Sequence, residues 1–130
     1  MARRIVPFAF LVAALAAPSL ARPDGAERLE IDMSSFKYMP ATITLKHGQS
    51  YILHFVNQSD GGHDFVARKF FEAAQVAPAD RALIDKGAVE LQGGEAADIH
   101  LIAPAAGHYD ARCSHFMHSA FGMKAEIVVT

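Results

Sequence analysis

The sequence predicts an all-β sandwich or barrel with one short helical insertion. Three observations point there. Short runs alternate apolar and polar residues, as at 29–32, 42–45 and 98–102. Clusters of Gly, Asn, Ser and Asp break these runs at close intervals, as at 47–50, 57–62 and 92–95. The helices that a parallel α/β sheet needs between its strands are missing.

Taken in order, residues 22–28 form a polar arm containing Pro23 and Gly25. Leu29 and Ile31 then alternate with Glu30 and Asp32, which marks a half-buried strand. Residues 42–45 alternate again, with β-branched side chains in three of four places. After a turn at 47–50, residues 51–56 form a strongly β-prone run, closed by the polar stretch 57–62. The segment 63–66 leads into residues 69–76, which lack Gly and Pro and read as a short helix. Pro78 opens a second turn or helix to Asp85, with Gly87 as its stop. Extended texture resumes at 89–91, turns at 92–95 and continues through 98–102. A turn at 104–107 separates this from the last two strands, 108–113 and 124–129. About seven short strands at this spacing suit a sandwich.

The first residues carry a different pattern. Arg3 and Arg4 precede a nearly continuous apolar run of 13 residues, 5–17, broken only by Pro7. Pro18 ends it, and Ser19 and Ala21 are small residues at the positions a signal peptidase reads. A membrane-spanning helix needs about 20 apolar residues, so this run is short for one. The expectation is a secretory signal over residues 1–21 and a single domain over 22–130, exported to the periplasm. Removing Arg3 and Arg4 takes the formal charge from -2 to -4. The mature chain is expected to carry no membrane span and to be a monomer.

Composition narrows the function classes. Hydrophobic residues make up 52% and charged residues 20%, enough apolar material for a packed core. The acidic balance argues against a nucleic-acid binder. Cys113 is the only cysteine, so no internal disulfide can close. The thiol is then free, paired with another chain or bound to metal, and because a free exposed thiol would oxidise on export, metal ligation is the attractive choice.

The stretch Cys113-Ser-His-Phe-Met-His118-Ser-Ala-Phe-Gly-Met123 carries the chemistry. A lone cysteine is usually a small buried apolar side chain. Here a thiolate, an imidazole and a thioether occur with four residues between each and the next, between two predicted strands. Two histidines, one cysteine and a weak axial methionine suit a copper electron-transfer site, because soft sulfur favours Cu(I) and imidazole accommodates Cu(II). The second histidine has to come from elsewhere. His63 is the best candidate, following the flexible Gly61-Gly62 pair, whose second carbonyl is a further distant donor. His115 lies inside the loop and competes with His118, or supports it from behind. His47, His54, His100 and His108 read as surface or satisfied residues, and Phe65, Phe70 and Phe71 as core. Met117, Ala120 and Phe121 flank His118 and read as an apolar rim for a docking partner.

These residues also resemble a known family. Phe36, Pro40, Ile43, Gly48, Phe55, Asn57 and His63, then Pro104, Gly107, Tyr109, Cys113, His118 and Met123, closing with Ile127 and Val129, match the pattern of the cupredoxins. The likeness is to the plastocyanin, azurin and rusticyanin group and spans residues 29–130. It implies a Greek-key β-sandwich with one mononuclear copper at one end. It also implies His63, Cys113 and His118 as strong ligands and Met123 as the axial one. The implied function is one-electron transport between transient redox partners, not enzymatic catalysis. The alternative is copper handling, for tolerance or for delivery to an assembling oxidase through a copper-transfer partner. One departure stands out. The residue after the first ligand is often Asn in this family, and here it is Asp64. An ionised carboxylate cannot donate a hydrogen bond, so the tie between the two ligand loops is expected to be altered.

Overall fold

The computed structural model describes residues 25–130. Within these residues, ten strands form two five-stranded sheets. The chain enters through β1 (Glu27–Ser34), β2 (Lys37–Met39), β3 (Thr42–Leu45), β4 (Ser50–Asn57) and β5 (His63–Val66). The insertion follows: α1 (Arg68–Ala73), β6 (Gln75–Val76) and a 3₁₀ helix (Pro78–Leu83). The chain then runs through β7 (Ala88–Leu91), β8 (Ala96–Ile102), β9 (Gly107–Arg112) and β10 (Lys124–Val129).

One sheet has the order β2-β1-β4-β8-β6 and the other β3-β10-β9-β5-β7. Both are mixed. β1 runs parallel to β4, and β3 parallel to β10, while the remaining pairs are antiparallel. The chain therefore crosses repeatedly between sheets, and the expected Greek-key β-sandwich is what forms.

The alternation seen in the sequence fixes which face each strand buries. Tyr51, Leu53 and Phe55 of β4, Ile99 and Leu101 of β8, and Ile127 and Val129 of β10 all point into the space between the sheets. Ile31 and Met33 of β1 join them, fully buried. Each such side chain contributes about 1.5–3 kcal/mol by leaving water. The aromatic centre is Phe65, whose ring lies 5.0 Å from Phe55 and 5.1 Å edge-on from Tyr38.

Three local readings change. The helix starts one residue early and ends at Ala73, because Gln75 and Val76 pair with Ile102 and Leu101 as a short edge strand. The second helical turn is a 3₁₀ helix that stops at Leu83. Residues 63–66 form a strand in their own right, buried at all four positions. Among the described residues no helix is long and apolar enough to cross a membrane. The predicted signal segment, 1–21, lies outside the described residues.

Candidate metal centre

Two loops meet at one end of the sandwich. The first joins β4 to β5 and is held by Asn57, whose side chain is fully buried. Its Nδ2 donates to the carbonyls of Gly61 (2.8 Å) and Leu91 (3.0 Å). Its Oδ1 accepts from the backbone and hydroxyl of Ser59. All the polar capacity of one buried amide is thus spent on shaping the turn that delivers His63. The second loop joins β9 to β10. Its ends are tied by the Cys113 N–H donating to the Met123 carbonyl, at 3.1 Å. The Met123 N–H in turn donates to the His118 carbonyl, at 3.0 Å.

These frames bring His63, Cys113 and His118 together. His63 Nδ1 lies 3.1 Å from His118 Nδ1, and Cys113 Sγ lies 3.4 Å from His118 Nδ1 and 4.0 Å from His63 Nδ1. A point equidistant from these three atoms is about 2.1 Å from each. Bonds from imidazole nitrogen and thiolate sulfur to a borderline metal such as zinc are about 2.0–2.3 Å. The triangle is therefore the right size for one ion, and two imidazoles with one thiol are the donor types copper takes. Cys113 and Met123 are completely buried and His63 nearly so, while His118 is half-buried and reaches the surface. The two backbone bonds just described tie Met123 to Cys113 and to His118.

Electrostatics prepare His63 and Cys113 differently. Burial pushes the Cys113 thiol above its ordinary value, against hydrogen bonds that lower it. Burial lowers His63, and the neighbouring His118 and His115 lower it further. A metal-free site at neutral pH therefore holds a protonated thiol beside an uncharged His63.

His115 is brought close but aimed elsewhere. Its Nε2 lies 2.9 Å and 3.1 Å from the two carboxylate oxygens of Glu90. Its ring stacks on His118 at 5.5 Å with an interplanar angle of 22°. Gly62 leaves it room, since a Cβ there would stand 3.2 Å from His115 Cε1. Asp64, Glu90 and His115 form a second group of potential donors within 4.8 Å of one another.

The tie between the ligand loops differs from expectation. Asp64 accepts from the backbone N–H of Ser114 at 2.6 Å and from its hydroxyl as well. The bridge survives with its polarity set by Ser114, which supplies both donors. Behind it, the buried Tyr38 hydroxyl donates to the Asp64 carbonyl. Burial first, then the nearby Cys113 and Asp64, push that phenol far above its ordinary range, so it stays a donor.

Around His118 the surface is apolar. Phe116, Met117 and Phe121 are exposed, Phe116 at 90%. Phe36 was read only as a family position, yet it belongs to this rim. Its ring meets His118 edge-on at 5.0 Å and Phe121 at 5.2 Å. Its φ of 60° puts a bulky residue in the left-handed region, an uncommon conformation. No sequence signal marks it, because it arrives from the β1–β2 turn.

A cupredoxin-like domain model matches residues 7–129. The chain belongs to the cupredoxin-like family. Among solved structures, this cupredoxin-like chain resembles a dithionite-reduced auracyanin from Roseiflexus castenholzii, with 23% identity and a TM-score of 0.61. That match covers 82% of this chain and 98% of the other. Auracyanin A of Chloroflexus aurantiacus, described as a "blue" copper protein, is 21% identical with a TM-score of 0.55, covering 79% and 99%. A multicopper oxidase from Pseudomonas thermotolerans is 23% identical with a TM-score of 0.63, covering 91% of this chain but 33% of that one. At these identities the likeness is one of fold. No match is found among curated proteins.

Proposed function

We propose that the protein is an exported one-electron carrier that holds a single copper ion through His63, Cys113 and His118, with Met123 as the axial ligand. The observation that carries this is the triangle of two Nδ1 atoms and one buried Sγ, with edges of 3.1, 3.4 and 4.0 Å. Copper would supply the Cu(II)/Cu(I) couple. The chain's part is to hold the ligands still. Asn57 fixes the turn before His63, and Asp64 ties the His63 strand to Ser114, next to Cys113. A frame rigid through both oxidation states keeps the reorganisation accompanying electron transfer small.

The carrier reading extends outward from the site. His118 is the half-buried ligand inside the apolar rim, so it is the edge from which an electron leaves to a transient redox partner. Small apolar contacts suit brief encounters of this kind. Residues 1–21 are the export signal, residues 22–130 the working monomer, and the periplasm its place. The fold likeness to auracyanins, one of them described as a blue copper protein, supports the same reading.

Storing surplus copper would call for a second metal position, and the Asp64, Glu90 and His115 group is the one available among the described residues. Both oxygens of Asp64 are already engaged by Ser114. A second ion there would compete with Ser114 for the Asp64 oxygens and weaken the tie beside the first site, which favours the carrier over storage.

The test is direct. Copper-loaded protein should show an intense thiolate-to-copper charge-transfer band and one copper per chain, both lost in Cys113→Ser. A colourless product, or several weakly held coppers, would overturn the carrier reading in favour of copper handling.

A further inference from the structure

A groove of about 550 Å³ lies between the start of α1 and the β9–β10 pair. Four cationic side chains line it: Arg68 and Lys69 from α1, Arg112 from the end of β9 and Lys124 from the start of β10. Asp110 is the one carboxylate in its lining, and the histidine there, His108, is held by Glu126 at 2.6 Å. The chain as a whole carries a formal charge of -2, opposite in sign to this cluster.

The arrangement is costly unless something anionic answers it. Arg112 and Lys124 are directly opposed in the β9–β10 register. Like charges facing each other across a strand pair destabilise the sheet. Among the described residues, none of Lys69, Arg112 and Lys124 has an ion-pair partner, and Arg68 Nε donates to the Lys86 carbonyl. The cations are gathered from three separate segments and left facing open space.

We propose that this groove receives an acidic segment of a partner protein, as a second contact surface distinct from the apolar rim around His118. Charge complementarity sets the sign of the occupant. The size argues for a peptide segment, since a lone phosphate or carboxylate would fill a small part of the space and could not meet four cations on three elements. Arg112 is bonded to Cys113, so an occupant here would lie one residue from the thiol. That the partner exchanges electrons rests on the copper-carrier reading; that the groove takes an acidic segment does not.

The experiment follows backbone amide shifts by nuclear magnetic resonance while a synthetic hexaglutamate peptide is added to metal-free and to Cu(I)-loaded protein. Shifts should concentrate at residues 68, 69, 112 and 124 in both forms. Affinity should fall about tenfold as salt is raised from about 20 to about 200 mM, because exposed ion pairs are screened. Lys69→Glu combined with Lys124→Glu should abolish binding, and the paired Gln replacements, which introduce no new charge, should weaken it. No shift at these amides overturns the proposal. So does an equal response to inorganic phosphate, which would make this a free-anion pocket, or binding only to vesicles containing phosphatidylglycerol. Peptide binding in the metal-free form together with failure to take up copper would sink the carrier reading and leave the groove intact.

Discussion

Asp64 and Ser114 are fifty residues apart in the chain and joined by two hydrogen bonds, both donated by Ser114. The carboxylate directly follows one proposed ligand, His63, and the serine another, Cys113, so the pair closes the candidate site like a clasp. It also places a negative charge beside the proposed metal position, where such a charge would favour the more oxidised ion.

That charge gives the first prediction. In Asp64→Asn the amide can still bridge, accepting from the Ser114 N–H and donating to its hydroxyl oxygen. Geometry is kept and the charge is lost. The reduction potential should rise, on the order of tens of millivolts given partial screening near a protein surface. Voltammetry of both proteins checks this. In Ser114→Ala the charge stays and one donor goes, so the potential should move less while copper loss on dilution speeds up.

Gly93 supplies a second. A Cβ at this position would stand 2.3 Å from the Asp60 carbonyl oxygen, where no atom can remain. The loop that precedes His63 therefore packs directly on the backbone of the β7–β8 turn. Gly93→Ala should cost about 1–3 kcal/mol of stability, as overpacking does. Denaturant melts of the metal-free protein would show it, with copper affinity also reduced because the displaced loop carries His63.

The protonation of the candidate site gives a third. Burial raises the Cys113 thiol and lowers His63. At pH 7 the thiol still holds its proton and His63 has none to give. Metal binding at a thiolate must release the thiol proton. Copper uptake should therefore release about one proton per ion from this pair, and affinity should fall as pH falls. Calorimetric titration in buffers of different ionisation enthalpy measures the number directly. A release near zero would mean that the thiolate is already formed.

The last-named groups show what the sequence could reveal. Cys113, His118 and Met123 share one loop, so their spacing was visible, and the Gly61-Gly62 pair pointed to His63. Strands that face water on one side, such as β4, were visible through their alternation. β5 was not, because all four residues are buried and no period-two signal survives. The end of α1 was overrun because Gln75 and Val76 become a strand only by pairing with β8. Phe36 in the rim and the cations of the groove come from distant segments, and only the folded chain assembles them.

The competition between His115 and His118 yields a fourth prediction. Glu90 holds His115 by Nε2, whereas His118 turns Nδ1 toward both Cys113 and His63. His115→Ala should keep the charge-transfer band, with a modest shift from losing a stacked ring. His118→Ala should lose it. The reverse result would exchange their roles and make the Glu90 contact a feature of the metal-free chain alone.

The apolar rim gives the fifth. Met117 and Phe121 are exposed beside His118, and water must be cleared from this patch when a partner arrives. Replacing both with Ser removes part of that apolar contact, worth about 25 cal/mol for each Å² that would have been buried. Neither side chain is among the proposed ligands, so the visible spectrum should stay the same. Electron exchange with a physiological partner should slow several-fold, while exchange with a small inorganic oxidant, which needs no docking surface, should hardly change. Stopped-flow traces with both reactants separate the cases. Equal rates for wild type and variant with the protein partner would remove the rim from the docking surface and leave the basic groove near Arg112 as the remaining candidate for contact.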